Sequence, residues 1–193
     1  MTMTNNLSRA RPRARIKLTP LRLLLGALAL IALTLGGLTL FVRNWTPSHT
    51  RFPVQGLTLT AQSGEVNWRM ARAAGADFAY LLATSGAERR DPAFDDYLAG
   101  ARAEGMRYGA IHRYNLCRLA SEQATRFIAT VPRDANMLPP VVQLDFWPNC
   151  AKRPNRDTVL AELNTFLNQI ETHSAKPALI RVSHDFEAQY DVA

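Results

Sequence analysis

The sequence predicts an α/β domain of about five parallel strands, preceded by one transmembrane helix. Three observations carry that expectation. Short β-branched runs alternate with helical stretches from residue 54 onward, residues 23–42 (LLLGALALIALTLGGLTLFV) carry no charge, and the charge of the chain divides at the same place. Residues 1–51 hold eight of the 23 Lys and Arg and no acid, whereas residues 52–193 hold all 16 acids and a balance of −1. The formal +7 therefore belongs to the N-terminal arm. A near-neutral domain argues against nucleic acid as a partner, because a nucleic-acid reader carries its basic residues on the folded part.

The apolar run is long enough to cross a hydrocarbon core as a helix. Six of the eight basic residues precede it and two follow, which predicts a cytoplasmic tail over 1–20, a signal anchor over 21–43 and a domain on the far side of a bacterial inner membrane. A cleaved signal peptide competes with this reading. The apolar core is longer than an ordinary h-region, and Leu40-Phe41-Val42-Arg43 offers no small-residue cleavage site, so the uncleaved anchor is preferred. Residues 44–53 (NWTPSHTRFP) read as a linker to a domain over 54–193.

Within the domain, residues 54–60 alternate apolar and polar and read as a strand. Residues 66–74 read as a helix stopped by Gly75. A second strand follows over 78–83 and a second helix over 93–104, closed by Gly105. The third strand and helix fall at 106–112 and 121–131, and the fourth strand at 141–145. The helix over 157–172 is the clearest amphipathic one, with Val159, Leu160, Leu163, Phe166, Leu167 and Ile170 on one stripe. A fifth strand spans 177–182, and a helix begins at Asp185. Strands alternating with helices predict parallel pairing with right-handed crossovers, in a barrel or in a doubly wound open sheet.

In either architecture ligands gather at the C-terminal ends of strands. Those ends supply Thr58, Thr60, Thr84, Ser85, His112, Asp145, Ser183 and His184. Asp145 terminates the buried run Val141-Val142-Gln143-Leu144, where it either takes part in chemistry or caps the following turn. No glycine-rich phosphate loop follows any strand, so no nucleotide cofactor is implied. Cys117 and Cys150 each follow a predicted strand and lie after the anchor, in a compartment where a disulfide persists. Two unrelated buried thiols are the alternative. Neither has a histidine at metal-ligand spacing, so no metal is implied.

Several segments in order carry a resemblance: Gln55-Gly56-Leu57-Thr58, Val66-Asn67-Trp68, 77–86 (DFAYLLATSG), Asp91-Pro92-Ala93-Phe94, Gly109-Ala110-Ile111-His112 and Leu138-Pro139-Pro140-Val141. Together they resemble the glycoside hydrolase family 25 lysozymes. The resemblance implies a TIM-like irregular βα barrel, here incomplete with about five strands. It also implies an N-acetylmuramidase activity that hydrolyses the muramic acid to glucosamine linkage of peptidoglycan. The chain departs from the family pattern where the chemistry sits. Thr58 stands at the first strand's aspartate, Leu82 and Ser85 replace a lysine and a glutamate, and Gln143-Leu144-Asp145 stands where the family carries Asp-x-Glu. The family's last strands, with a further acidic residue, lie beyond the match, so a truncated domain is expected.

Cutting a glycosidic bond needs one carboxylic acid to protonate the leaving oxygen and a second negative group against the cationic transition state. The resemblance makes Asp145 the candidate general acid, its proton held if Phe146 and Trp147 wall it off, and places Gln143 at the family's aspartate. Thr58 and Gln143 can hydrogen-bond sugar but carry no charge. Tyr114 and Trp147 are sugar-stacking surfaces or core aromatics. His112 is a ligand-contacting base or a neutral hydrogen-bonded imidazole. Glu65, Glu88, Asp91 and Asp185 stand in nearby loops, away from the family's catalytic positions. The expected partners are peptidoglycan or a related glycan, the membrane through 21–43, and another copy of the chain through open sheet edges. Two functions follow as expectations: a weak or altered lysozyme-like hydrolase, or a module that binds glycan without cutting it.

Overall fold

A computed structural model describes residues 20–45 and 47–192. The basic tail expected over 1–20 lies outside the described residues, apart from Pro20. The chain divides into two compact units between Ser48 and His49. The first contains α1 (Pro20–Asn44), whose leucines are exposed along its length and which is long and apolar enough to cross a membrane.

The second unit is an α/β domain built on one curled sheet. Its strands are β1 (Gly56–Leu59), β2 (Phe78–Ser85), β3 (Arg89–Arg90), β4 (Arg107–Tyr114), β5 (Val141–Leu144) and β6 (Leu179–Val182). The order is β1-β2-β4-β5-β6 with all neighbours parallel, while the two-residue β3 pairs antiparallel with the end of β2. Helices α2 (Trp68–Ala73), α3 (Phe94–Ala103), α4 (Ala120–Thr130), α5 (Arg156–Ser174) and α6 (His184–Tyr190) connect or follow the strands. Among the described residues β6 does not pair with β1, so the barrel is a half-barrel with two edges.

Local chemistry explains the helix limits. Asn155 caps α5 by accepting from the Thr158 amide at 2.9 Å, and Asp157 sits in the positive first turn. Gly75 and Gly105 end α2 and α3 with φ of 98° and 61°, conformations that a side chain resists.

The convex side of the sheet holds the core. Ala79, Leu81, Ala110, Val142 and Leu144 pack there against Phe94 of α3, Phe127 of α4 and Phe166 of α5. On α5 the buried positions are Val159, Leu163, Phe166 and Ile170, one helical stripe. The concave side is layered. Tyr80 lies across Gly109, where an added Cβ would come within 2.2 Å of its ring, and its hydroxyl donates to the Pro139 carbonyl at 3.1 Å. Above it, Leu82, Ile111, Val141 and Leu179 are mutual partners along one apolar row. A bulge at Ala83 then shifts the β2–β4 register, turning Thr84 to the convex side and leaving Ser85 on the concave one.

Candidate active site

The strand ends on the concave side form a cleft of about 610 Å³. Its floor follows from the register. Arg89 of β3 partners Ser85 of β2, Ser85 partners Arg113 of β4, Arg113 partners Gln143 of β5, and Gln143 partners Arg181 of β6. Five strands thus contribute one row, with arginine at every second position. Thr58 and Thr60 line the same cleft at the end of β1.

Asp145 stands just beyond this row. Its Oδ2 accepts from Arg113 Nη2 at 2.8 Å and from Gln143 Nε2 at 3.3 Å. Phe146 does not wall it off, because that ring packs against Phe186 at 5.2 Å, with the Arg153 guanidinium over it. Trp147 lies with the Arg113 guanidinium 5.1 Å from its ring centre, so a cation already occupies one stacking face. Arg113 Nε, Asp145 Oδ1 and Trp147 Nε1 are buried without a hydrogen-bond partner among the described residues.

His112 and Tyr114 do not belong to the cleft, and this corrects the expectation that they bind substrate. They alternate with Arg113 along β4 and therefore face the helices. His112 is fully buried, 4.5 Å from the Phe166 ring, and Tyr114 is 5.4 Å from the same ring. Gln123 Oε1 lies 3.2 Å from His112 Nε2 and can only accept, which places the imidazole proton on Nε2. Nδ1 then accepts from the Thr84 hydroxyl at 2.8 Å. Desolvation pushes this histidine down to about 4, so it is neutral at physiological pH.

Of the loop carboxylates named above, Asp91 lines the cleft, while Glu65, Glu88 and Asp185 lie outside it. Asp91 accepts from the Ala61 and Ala93 amides, Glu88 pairs with Arg118, and Asp185 is exposed beside His184. Cys117 and Cys150 form a disulfide with Cα atoms 5.8 Å apart, joining the loops that follow β4 and β5. Among the described residues no group of His, Cys, Asp and Glu is arranged to hold a metal.

This arrangement brings Thr58, Gln143 and Asp145 to one face but surrounds them with cations. The alternation of β4 and β5 was the available signal for Arg113. Arg89 and Arg181 needed the pairing of β3 and β6 to be placed. Chemically, the face can hydrogen-bond and charge-pair a polar chain. It offers a single carboxylate at the row, and that carboxylate's Oδ2 is already taken by two donors.

Comparisons with known proteins agree with the topology. The family model for glycosyl hydrolases family 25 matches residues 59–193. Lysozyme M1 of Streptomyces globisporus is 30% identical over 120 residues, covering 60% of this chain and 40% of that protein. A family 25 glycosyl hydrolase from Bacillus anthracis superposes with a TM-score of 0.68 at 28% identity, over 71% of this chain and 64% of that one. A bacterial lysozyme from Streptomyces coelicolor, 24% identical, shares the fold with a TM-score of 0.64 over 69% and 64%. The chain thus spans less than two thirds of the length of these relatives. With its family model covering most of the domain, the chain belongs to glycosyl hydrolases family 25.

Proposed function

We propose that the protein is a membrane-anchored, lysozyme-like glycoside hydrolase acting on peptidoglycan, with hydrolysis weakened by its substituted carboxylates. The observation that carries this reading is the strand-end cleft of a family 25 domain, lined by Thr58 and Gln143, with Asp145 accepting from Gln143 just beyond it. In this reading Asp145 delivers the proton to the leaving oxygen, while Gln143 and Thr58 hold sugar hydroxyls. No second carboxylate stabilises the positive charge of the transition state, and the arginines oppose it. Aspartate is also one methylene shorter than the family's glutamate, and a misplacement of about 1 Å costs on the order of 100-fold.

A second reading, a module that binds peptidoglycan without cutting it, is favoured by the Arg113–Asp145 ion pair, which occupies the one candidate acid. One assay separates them. The full chain in detergent micelles is incubated with purified peptidoglycan, and released reducing ends are counted. Slow release that disappears in Asp145→Asn supports the hydrolase. Equal release by both proteins overturns it, and retention on the wall without release supports the binder.

The anchor reading rests on α1 and on the excess of basic residues before it. It places the N-terminus in the cytoplasm and the domain in the periplasm or outside. A C-terminal alkaline phosphatase fusion should be active and a C-terminal fluorescent protein dark. The reverse result would overturn the orientation.

A further inference from the structure

We infer that the row Arg89–Ser85–Arg113–Gln143–Arg181 is a binding site for an anionic saccharide, a sugar chain carrying carboxylates, laid across the strand ends. The inference rests on the reading of this cleft as the glycan-facing site and adds the charge of the ligand. Three arginines alternate with two neutral hydrogen-bonding residues along paired strands, all of them lining the cleft. Strand spacing separates successive arginines by about 10 Å at the backbone, so the cations form a line rather than a cluster.

The charges are not consumed internally. Arg89 and Arg181 are exposed and have no hydrogen-bond or ion-pair partner among the described residues, while Arg113 shares its charge with Asp145. Asp91 is the one acid lining the cleft, and its carboxylate is held by the Ala61 and Ala93 amides. Guanidinium groups recognise carboxylates through paired N–H donors. Ser85 and Gln143, with Thr58 and Thr60 on the cleft wall, supply partners for sugar hydroxyls. A neutral sugar would leave the arginines without a role, and a small anion would not span the row.

The test uses the full chain in detergent micelles and measures co-sedimentation with three insoluble glycans: sacculi purified free of phosphate polymers, the same sacculi with carboxyls amidated, and chitin. Soluble polygalacturonate serves as a fourth ligand. We expect salt-sensitive retention on untreated sacculi and at least tenfold weaker retention on amidated sacculi and chitin. Arg89→Gln and Arg181→Gln should each weaken binding about tenfold, the size of one charge-assisted contact. Both residues are exposed and unpartnered, so neither change threatens folding. Charge reversal in Arg181→Glu should weaken binding further.

Equal retention on untreated sacculi, amidated sacculi and chitin, insensitive to both arginine changes, overturns the anionic ligand and leaves the peptidoglycan reading standing. Arginine-dependent binding to polygalacturonate but not to sacculi keeps this inference and overturns peptidoglycan as the substrate. Binding to none of the four overturns both. If arginine-dependent retention persists on amidated sacculi, the carboxylate is the wrong anion.

Discussion

His112 shows what burial does to an imidazole whose two ring nitrogens already have partners. Thr84, Gln123, Phe127, Tyr114 and Phe166 surround it, and none of them is charged at neutral pH. Its folded pKa of about 4 lies below the ordinary 6.5, so on acidification the unfolded chain takes up the proton first. The stabilisation is present above pH 6.5 and is lost as pH falls toward 4, on the order of 3 kcal/mol in all. In an NMR titration the His112 ring should stay neutral down to pH 5, and titration near 6.5 would show that it is solvated. Asp134 opens a second, lower window. Hydrogen bonds from Tyr108, the Asn136 amide and Arg102 hold it at about 2, so its stabilisation, present above pH 4, fades between pH 4 and 2. At this scale the sequence was legible in part. Asp145, Gln143 and Thr58 follow from strand position, but His112 and Arg113 are adjacent, and side-chain alternation lets only one of them reach the cleft. That choice depends on which face of β4 the helices cover. The neighbouring pairs Ile111↔Val141 and His112↔Val142 settle it once register is known.

Helix α5 holds the convex core through Phe166, which is fully buried against His112 and Tyr114. Phe166→Ala should cost about 3–5 kcal/mol, since the rings around it belong to a strand and cannot collapse into the space. A urea denaturation midpoint for the full chain in micelles measures this, and a loss under 1 kcal/mol would mean that α5 is not seated on the sheet. The disulfide ties together the loops at the ends of β4 and β5. Cys117 and Cys150 are 33 residues apart, and closing that loop in the unfolded chain is worth roughly 3–4 kcal/mol in the chain-entropy model. Paired Cys117→Ser and Cys150→Ser changes should lower the unfolding free energy by that amount, and with it the midpoint, without moving the strands. An unchanged midpoint would show that the bond adds no net stability. The stripe of α5 and the order of strands were readable because apolar periodicity is local. Strand β3 was not readable, because Arg89-Arg90 has no apolar residue and exists only through its pairing with Ser85 and Thr84. The bulge at Ala83 escaped for the same reason, being a property of two strands rather than of one.

Across the whole domain, stability should fall from the middle of the sheet to its edges. Strand β4 is paired on both sides, to β2 and β5, and nearly every residue in it is buried. Strand β6 is paired to β5 alone among the described residues, and Leu179 and Ile180 remain 50% and 41% exposed. An edge strand has one row of backbone groups facing outward and few apolar contacts to resist local opening. Yet β6 carries Arg181, so the arginine row described above ends on the least supported strand. Hydrogen exchange followed by mass spectrometry on the full chain in micelles should find β4 amides protected to nearly the global limit. Amides of β6, and to a smaller degree of β1, should exchange orders of magnitude faster. Adding polygalacturonate should slow β6 and leave β4 unchanged, because a ligand that binds only the ordered edge shifts that local equilibrium alone. Protection of β6 equal to that of β4 without ligand would contradict an open edge. If that protection also rose with protein concentration, a second copy of the chain would be what covers it.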